Sequence, residues 1–401
     1  YINDIVENIN STIRLFADDT SLYIIVNDPF DAAIKLNLDL SRVNAWATKW
    51  LVSFNPAKSE SVIFSRKVNQ PYHPPVYMNY QLINEVDVHK HLGLYFSNDC
   101  KWHEHIQQIK SKAWQRVNVM RRLKFTLDRK SLQIVYFSFI RPLLEYANIV
   151  WDNCSQYESN QLEQIQNEAA RIVTGATKLV SINSLMHETG WETLSARRKK
   201  HKLTMFYKMK SNMCPTYLSS LVPATVGNTS RYDLRNVDDL QTIHAHSQLY
   251  FDSFLPSVIR EWNVLPTTVR NSTSLMSFKA QLNQNIRPPP SFYCSGSRQG
   301  QIYQVRLRTN CSSLKLHLYS KNIIDSPLCV CGEIEDTFHF LLECDIYSDL
   351  RRELLTSVSS ICNPSLNVLL FGSPDISDDL NVQIFAAVQK YILKTKRFSL
   401  S

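Results

Sequence analysis

The sequence predicts an α+β protein in which a region with strands is followed by a long helical region and a short Cys/His-rich region. Two apolar runs, Ile13 to Phe16 and Leu22 to Val26, flank a polar turn and predict a β-hairpin. From Trp102 onward, apolar residues recur at helical spacing. Three of the nine cysteines crowd between residues 329 and 344. These observations predict four segments, at residues 1–100, 101–176, 177–287 and 288–401.

The first segment combines the hairpin with one helix and two further strands. Asp28-Pro29 supplies an N-cap and a proline at the first helical position, and Asn55-Pro56 breaks the helix. The apolar stripe of this helix is Ala33, Leu36, Leu40, Val43, Ala47 and Trp50. Strands are predicted at Ser61 to Ser65 and at His91 to Phe96, with a proline-rich excursion between them.

Three amphipathic helices are predicted in the second segment, which indicates a small helical bundle. The first begins near Trp102, the second begins at about Asp128 and is kinked by Pro142, and the third ends at Gly175. The third segment is a helical, partly basic connector. Pro288 to Pro290 mark a linker, after which we expect a separate unit.

Positive charge is concentrated in one stretch of the second segment. The chain has a net charge of +8, and residues 101–130 carry nine Lys or Arg against two acids. The nine are Lys101, Lys110, Lys112, Arg116, Arg121, Arg122, Lys124, Arg129 and Lys130. A basic helix face of this kind is typical of a surface that binds a polyanion, and the alternative is a solvated helix surface.

Composition argues against several classes of protein. The longest apolar stretch, near Ile134 to Trp151, contains Arg141 and Glu145, so no membrane span is predicted. Nine cysteines without regular pairing indicate a reducing compartment and no disulfides. Neither the G-x-G-x-x-G pattern nor the P-loop pattern occurs among the 8 glycines, which argues against Rossmann and P-loop nucleotide binding.

The turn of the predicted hairpin carries two adjacent carboxylates, Asp18 and Asp19, within Phe16-Ala17-Asp18-Asp19-Thr20. Adjacent carboxylates repel each other. A divalent cation relieves that repulsion, because Mg²⁺ is usually held by one or two carboxylates plus substrate phosphates. The alternative is a solvated surface turn whose side chains cap backbone groups. The hairpin context favours a phosphoryl-transfer site that binds Mg²⁺ or Mn²⁺.

A second set of metal ligands follows the pattern Cys329-x-Cys331-x7-His339-x4-Cys344. Three thiolates and one imidazole are donors that tetrahedral Zn²⁺ selects, and Gly332 lets the chain turn around the ion. The alternative is a group of small buried cysteines with a capping histidine. Because protein would fill all four positions, the predicted zinc ion is structural.

The motifs occur in the order found in one enzyme family. The hairpin turn, the segment Trp46 to Glu60, the stretch His91-Leu92-Gly93-Leu94 and the Cys/His pattern resemble reverse transcriptases of non-LTR, LINE-type retrotransposons of the jockey and CR1-like kind. The resemblance extends from about Ile13 to Arg352. It implies an RNA-directed DNA polymerase whose partners are an RNA template, a DNA primer and deoxynucleoside triphosphates.

The resemblance assigns parts of a polymerase to the four segments. Residues 1–100 would be the end of the palm, 101–176 a three-helix thumb, 177–287 a helical basic connector, and 288–401 a region with a zinc knuckle. It also implies that Asp18 is the principal ligand of the catalytic Mg²⁺ and that Asp19 is the supporting ligand.

Further roles follow from the same resemblance. Lys58 would lie near the incoming triphosphate, where it could neutralise or protonate the leaving pyrophosphate, although it could also be an ordinary exposed turn residue. Leu92 and Gly93 would form the primer grip, since a glycine permits close approach of the backbone. The thumb residues expected to contact template and primer phosphates are Lys110, Lys112, Arg116, Arg121 and Arg122.

The zinc knuckle would contact single-stranded nucleic acid through aromatic and basic residues. The residues available for this are Phe338, Phe340, Arg351 and Arg352. The two phenylalanines could instead fill the local core.

In this family a third catalytic carboxylate lies well upstream of the hairpin, and only seventeen residues precede Asp18 here. We therefore expect the chain to be inactive by itself. The alternative function is a non-catalytic nucleic-acid-binding remnant that uses the basic thumb and the zinc knuckle. A third alternative, a host RNA-binding factor unrelated to retroelements, would not explain the two adjacent aspartates of the hairpin. An element that copies itself into chromosomal DNA must reach that DNA, which implies an intracellular protein of the nucleus and cytoplasm.

Overall fold

The computed structural model describes residues 2–69, 71–229, 237–284 and 288–398. The chain divides into two compact units, residues 1–108 and 109–401. The division falls inside a helix, His103–Leu123, close to the predicted boundary after residue 100. Helices and small sheets are both present, so the predicted α+β class is confirmed.

The first unit contains short strands and one long helix. Its described strands form four two-stranded sheets: β1–β2, β4–β5 and β7–β8 are antiparallel, and β3–β6 is parallel. The strands are β1 (Thr12–Phe16), β2 (Asp19–Tyr23), β3 (Glu60–Ser61), β4 (Tyr77–Met78), β5 (Gln81–Leu82), β6 (Asn84–Glu85), β7 (Val88–His91) and β8 (Leu94–Ser97). The strand predicted at Ser61 to Ser65 is therefore wrong beyond Ser61.

Helix α1 (Pro29–Lys49) follows the predicted start signal. Asp28 is the N-cap, and its carboxylate accepts a hydrogen bond from the backbone N–H of Asp31 (2.8 Å). Most of the predicted stripe is buried, and Leu40 packs with Met78 and Ile83. The helix ends before Asn55-Pro56, which instead begins a short 3₁₀ turn.

The single strand predicted at His91 to Phe96 is wrong. The chain reverses within it, so that β7 and β8 form a tight hairpin with Leu92 and Gly93 at the turn. Both turn residues have positive φ, 47° and 83°, which is the requirement of a type I′ turn and the reason for a glycine at the second position. The glycine therefore marks a reversal of the chain. The strand-forming residues on either side of it had predicted one continuous strand.

The second unit begins with the predicted bundle. Its elements are α2 (His103–Leu123), α3 (Arg129–Val135), a π-helical turn (Tyr136–Ile140), α4 (Arg141–Glu145) and α5 (Gln156–Thr174). Asp128 caps α3, and Gly175 ends α5 with a φ of 73°, as predicted. The kink expected at Pro142 takes the form of the π-helical turn, in which the N–H of Arg141 donates to the carbonyl of Tyr136. The wider turn accommodates a proline ring that a regular helix would exclude.

The remaining helices form two hydrophobic clusters. The connector contributes α6 (Ile182–Thr189), α7 (Leu194–Lys210), α8 (Thr216–Ser219), α9 (Val226–Thr229), α10 (Gln248–Phe251), α11 (Phe254–Asn263), α12 (Thr267–Arg270) and α13 (Leu275–Leu282). One cluster packs Phe206, Trp262 and Phe278 together. The last segment contributes α14 (Arg298–Arg308), α15 (Lys315–Tyr319), α16 (Ser348–Ser359), α17 (Leu366–Phe371) and α18 (Asp378–Lys394). The second cluster lies among these helices and includes Phe340 and Phe385.

The last segment does not stand apart from the bundle, contrary to the expectation of a separate unit. Arg298 of α14 donates to the carbonyls of Ile172 and Val173, both at 2.6 Å, and Arg306 donates to the carbonyl of Gly175 (3.1 Å). These carbonyls lie at the end of α5, where a helix leaves acceptors without intrahelical partners. The two arginines therefore bind the last segment directly to the bundle.

Among the described residues, we find no helix whose length and apolar character would let it cross a lipid bilayer.

Candidate carboxylate hairpin and candidate metal centre

The predicted hairpin forms, and Asp18 and Asp19 lie at its tip. Phe16 pairs with Asp19 across the two strands, which leaves Ala17 and Asp18 as a two-residue turn. Ala17 has a φ of 53°, the left-handed conformation that such turns require at their first position. Both carboxylates are exposed. Hard oxygen donors in this position could hold a divalent cation together with phosphate and water ligands.

The base of the hairpin is held by a buried carboxylate on α1. Asp39 is fully buried and accepts hydrogen bonds from the backbone N–H groups of Asn10 (3.0 Å) and Ser11 (2.7 Å), just before β1. Arg42 donates to Asp39 (3.0 Å) and to the carbonyl of Asn8 (2.6 Å). Burial alone would raise the pKa of Asp39, but the backbone hydrogen bonds outweigh it and lower the pKa below its ordinary value.

Sequence reasoning missed Asp39. A detectable signal exists, since Asp39 lies beside Leu40 and Val43 on the apolar side of a helix, where a solvated acid is not expected. A second missed anchor is Asp4, whose carboxylate accepts from the indole N–H groups of Trp46 (2.7 Å) and Trp50 (3.2 Å). Both acids orient the segment that leads into the hairpin.

Lys58 and the β7–β8 turn lie in the same unit as the hairpin. Lys58 is exposed at the end of the 3₁₀ turn Pro56–Lys58, and Gly93 is exposed at its own turn. Across the described residues, no hydrogen bond or ion pair joins Lys58 to Asp18 or Asp19. The assigned catalytic role of Lys58 and the primer-grip role of Leu92 and Gly93 stay predictions.

The cationic residues of α2 divide among different faces, because successive helical residues are rotated by about 100°. Lys110 and Arg121 face α5. The Lys110 ammonium donates to Gln161 (3.0 Å), and the Arg121 guanidinium donates to one oxygen of Glu168 (2.9 and 3.1 Å). These two side chains therefore serve packing within the bundle, although Arg121 remains partly exposed.

The other predicted cations of α2 are more accessible. Arg116 lies on the opposite flank, where its guanidinium stacks 4.8 Å from the ring centroid of Phe139 and donates to the carbonyl of Phe139. Lys112 and Arg122 lie on the outer face and are exposed. Arg129 is buried and forms an ion pair with Glu188 (2.7 Å), so it does not belong to the basic surface.

The four predicted zinc ligands converge. Their donor atoms all lie within 4.8 Å of one another, with 3.8 Å between the sulfurs of Cys329 and Cys344 and 3.2 Å between Cys331 Sγ and His339 Nε2. Zinc bond lengths of about 2.3 Å to sulfur and 2.0 Å to nitrogen give tetrahedral edges of about 3.8 Å and 3.6 Å. In the described chain, this is the one group of three or more potential ligands so close together. The donor set fits a structural Zn²⁺.

Local backbone geometry brings these ligands together. The backbone N–H of Cys329 donates to the carbonyl of Glu333 (2.7 Å), and Gly332 adopts a φ of 99° in the turn between them. His339 begins a π-helical turn (His339–Glu343), and its N–H donates to the Asp336 carboxylate (2.6 Å). The N–H of Cys344 then donates to the carbonyl of His339 (2.8 Å). Two turns, one from each side, therefore enclose the donors.

The thiols differ in environment. Burial raises the pKa of Cys344 to about 12, whereas a hydrogen bond from the backbone N–H of Glu333 lowers the pKa of the exposed Cys331. A bound cation favours the thiolate at every such position. Without one, Cys344 is a protonated core side chain.

The four residues expected to contact nucleic acid from the knuckle fall into different environments. Phe340 is 1% exposed and packs with Tyr391, so of the two alternatives left open for it the structure shows the local core and not a contact with nucleic acid. Phe338 is 44% exposed. Arg351 donates to the carbonyl of Cys344 (2.5 Å) and supports the centre, whereas Arg352 is exposed.

Curated relatives match the sequence, although no protein-family model does. A probable RNA-directed DNA polymerase from transposon BS of Drosophila melanogaster is 23% identical over 47% of this chain and 21% of its own length. The RNA-directed DNA polymerase from mobile element jockey of Drosophila funebris is 26% identical over 41% of this chain and 18% of its own length. A Pol polyprotein from type-1 retrotransposable element R1 2 of Nasonia vitripennis is 20% identical over 85% of this chain and 79% of its own length. The chain spans about a fifth of the Drosophila relatives, and the resemblance predicted from the motifs is confirmed.

Proposed function

We propose that this chain, a relative of the reverse transcriptases of non-LTR retrotransposons, supplies the metal-binding hairpin and the helical nucleic-acid-binding part of an RNA-directed DNA polymerase. The observation that carries the proposal is the β1–β2 hairpin, which holds Asp18 and Asp19 exposed at its tip. The names of the relatives, RNA-directed DNA polymerase and retrotransposon Pol polyprotein, support the same assignment. An RNA template, a DNA primer and deoxynucleoside triphosphates are the partners this activity needs.

In this proposal, Asp18 and Asp19 hold the divalent ion, Mg²⁺ or Mn²⁺. Bound there, the ion would neutralise phosphate charge and align the primer 3′-hydroxyl with the nucleotide α-phosphate. The turn conformation of Ala17 and the anchoring by Asp39 keep the carboxylates in a fixed position relative to α1. Lys58 would offset charge on the leaving pyrophosphate. The exposed Leu92-Gly93 turn would let the primer backbone approach closely.

The palm and thumb layout belongs to the same proposal, with residues 1–100 as the end of the palm and 101–176 as the thumb. Lys112 and Arg122 on the outer face of α2 would contact phosphates of template or primer, because they are exposed and of one sign. Lys110 and Arg121 would contribute less, since each is engaged by α5. Arg116 would also contribute less, because its guanidinium is held against Phe139 at the surface. Among the predicted phosphate contacts, we therefore expect the exposed side chains to contribute most.

We propose a structural Zn²⁺ at Cys329, Cys331, His339 and Cys344. The ion would join the turn that carries Cys329 and Cys331 to the π-helical turn that begins at His339 and is followed by Cys344. All four donors belong to the protein, so the centre would have no open position for chemistry. A protein of this kind acts on chromosomal DNA, and we therefore place it in the nucleus and the cytoplasm.

Metal binding at the hairpin tests the polymerase proposal. The full chain is mixed with primer–template and a deoxynucleoside triphosphate, and Mn²⁺ binding is followed by electron paramagnetic resonance. Asp18→Asn and Asp19→Asn should weaken binding, with the larger effect at Asp18. Asp31→Asn is the control, because Asp31 is an exposed aspartate on α1 paired with Lys35 (2.6 Å). Equal binding by all four proteins would refute the assignment.

A second candidate function is a non-catalytic nucleic-acid-binding remnant. One observation favours it: among the described residues, no third carboxylate joins Asp18 and Asp19 in a ligand group. Primer extension on an RNA template with Mg²⁺ separates the two candidates. Extension by the wild-type chain that is lost in Asp18→Asn supports the enzyme. Because an incomplete polymerase would also fail to extend a primer, the remnant is supported by nucleic-acid binding together with Mn²⁺ binding that Asp18→Asn leaves unchanged.

A further inference from the structure

The loop between α2 and α3 presents an aromatic ring to solvent among cations. Phe125 is 82% exposed, and the ammonium of Lys124 lies 4.9 Å from its ring centroid. Large apolar side chains usually find a core, and this one does not. The bundle beside it is well packed without it, since Met120 and Leu132 are fully buried.

The loop holds this ring outward by a defined backbone. The N–H of Lys124 donates to the carbonyl of Met120 (3.1 Å), which closes the last turn of α2. The N–H groups of Thr126 (3.0 Å) and Leu127 (2.9 Å) both donate to the carbonyl of Leu123. Asp128 then caps α3 through the N–H of Ser131 (2.6 Å). Phe125 is therefore fixed between two helix ends.

Most of the charged side chains around this loop are cations. Arg122, Lys124 and Lys130 are exposed, and the nearby Asp128 carboxylate is occupied as a helix cap. Arg129 does not take part, because it is buried against Glu188. An exposed ring bordered by cations matches a nucleotide, which offers a flat base to the ring and a phosphate to the cations.

We infer that Phe125 stacks on one unpaired base of a single-stranded nucleic acid whose phosphates are contacted by Arg122 and Lys124. This rests on the proposed function and deepens it by naming a contact with single-stranded rather than duplex nucleic acid. Stacking on an aromatic ring tolerates any base, because every base has a flat face. The site is therefore independent of sequence.

Binding of a fluorescent 12-nucleotide RNA to the full chain, measured by anisotropy, tests the inference. Phe125→Ala should weaken binding by roughly 5- to 150-fold, the range that corresponds to loss of one stacked base. Phe125→Tyr should retain binding. The matched control is Tyr157→Ala, which removes another exposed aromatic of the same unit (69% exposed) from the acidic first turn of α5.

Salt dependence separates stacking from charge. Phe125→Ala should leave the slope of log K against log salt unchanged, whereas Arg122→Gln with Lys124→Gln should reduce its magnitude by about 1.4, at roughly 0.7 for each phosphate contact on a single strand. Melting curves check that each variant folds.

An unchanged affinity in Phe125→Ala, or an equal loss in Tyr157→Ala, overturns the inference. Failure of the wild-type chain to bind any RNA or DNA would instead overturn the proposed function. Binding of a fluorescent acidic peptide that Phe125→Ala weakens, with no RNA binding by the wild-type chain, would assign the surface to a protein partner.

Discussion

The carboxylate hairpin and the Cys/His centre present candidate metal ligands in opposite ways. Asp18 and Asp19 are neighbours in the sequence, and a two-residue turn exposes both. The Cys/His donors come from two segments, and Cys344 and His339 are buried. The hairpin therefore offers an incomplete site that phosphates and water would complete, whereas the Cys/His centre offers a full tetrahedral set. A ligand set left open suits an ion that takes part in a reaction, and a closed set suits an ion that holds a fold.

The two regions also differ in how they are attached. The hairpin depends on one buried carboxylate, Asp39, at its base. The segment with the Cys/His centre is attached to the bundle by Arg298 and Arg306 of α14. It is also attached to α6 of the connector by Arg308, which pairs with Glu188. Perturbing the second region should therefore affect the stability of a larger part of the protein.

The largest expected effect is at the zinc ligands. Cys344→Ser should abolish stoichiometric zinc binding and lower the melting temperature, since structural zinc contributes on the order of 10 kcal/mol in small domains. The measurements are zinc content of the purified full chain and differential scanning calorimetry. Cys362→Ser is the control, because Cys362 is half-buried nearby but outside the ligand group. One equivalent of zinc retained in Cys344→Ser would contradict the assignment.

The next largest effect is expected at Glu188. This carboxylate lies between Arg129 and Arg308, and all three side chains are at most 5% exposed. Glu188→Ala leaves two buried guanidinium groups without their partner and should cost about 3–5 kcal/mol in urea unfolding. Glu353→Ala removes an exposed acid paired with two lysines and should change stability little. If both variants lost a similar free energy of unfolding, burial of the carboxylate would not be what determines the cost of removing it.

A moderate effect is expected at the base of the hairpin. Asp39→Asn brings an amide NH₂ against backbone donors and should cost about 1–3 kcal/mol, measured as faster hydrogen exchange in residues 8–16. Because the pKa of Asp39 is lowered, its stabilisation is present above the ordinary pKa of about 3.9 and is lost as the pH falls through the lowered value. Wild type and variant should therefore converge in acid. Asp31→Asn is the control, and a difference that persists at low pH would count against this account.

The smallest effect is expected at Gly332. An added Cβ there meets no atom within 4 Å, so Gly332→Ala carries only the strain of a φ of 99°, about 1–2 kcal/mol. Zinc affinity should fall by roughly 5- to 30-fold without loss of the site. Gly175→Ala should destabilise the protein more, for two reasons. Its Cβ would clash with the side chain of Ile302, and its backbone has a φ of 73° that disfavours alanine. If Gly332→Ala destabilised the protein more than Gly175→Ala, atoms would have to lie closer to Gly332 than they do in the structure.

Predictions from the sequence succeeded where the signal was local. The hairpin around Asp18, the cap at Asp28 and the helix stop at Gly175 each depend on residues a few positions apart. The predictions failed where a local pattern was compatible with two different structures. The run from His91 to Phe96 has strand-forming residues throughout, and only the positive φ of its central pair shows a reversal. For Phe340 the sequence left two alternatives open, and only the packing against Tyr391 shows that it belongs to the core.

The sequence by itself determined the ligand types, the turn that exposes the carboxylates and the helical periodicity of the basic region, because these follow from residue chemistry and short-range backbone geometry. Only the tertiary structure decided which charges are free. Lys110, Arg121 and Arg129 were placed against acceptors from distant segments, while Arg122 remained exposed beside Phe125. The physical reason is that a charge is neutralised by whatever lies within a few ångströms in space, and distance along the chain does not report that.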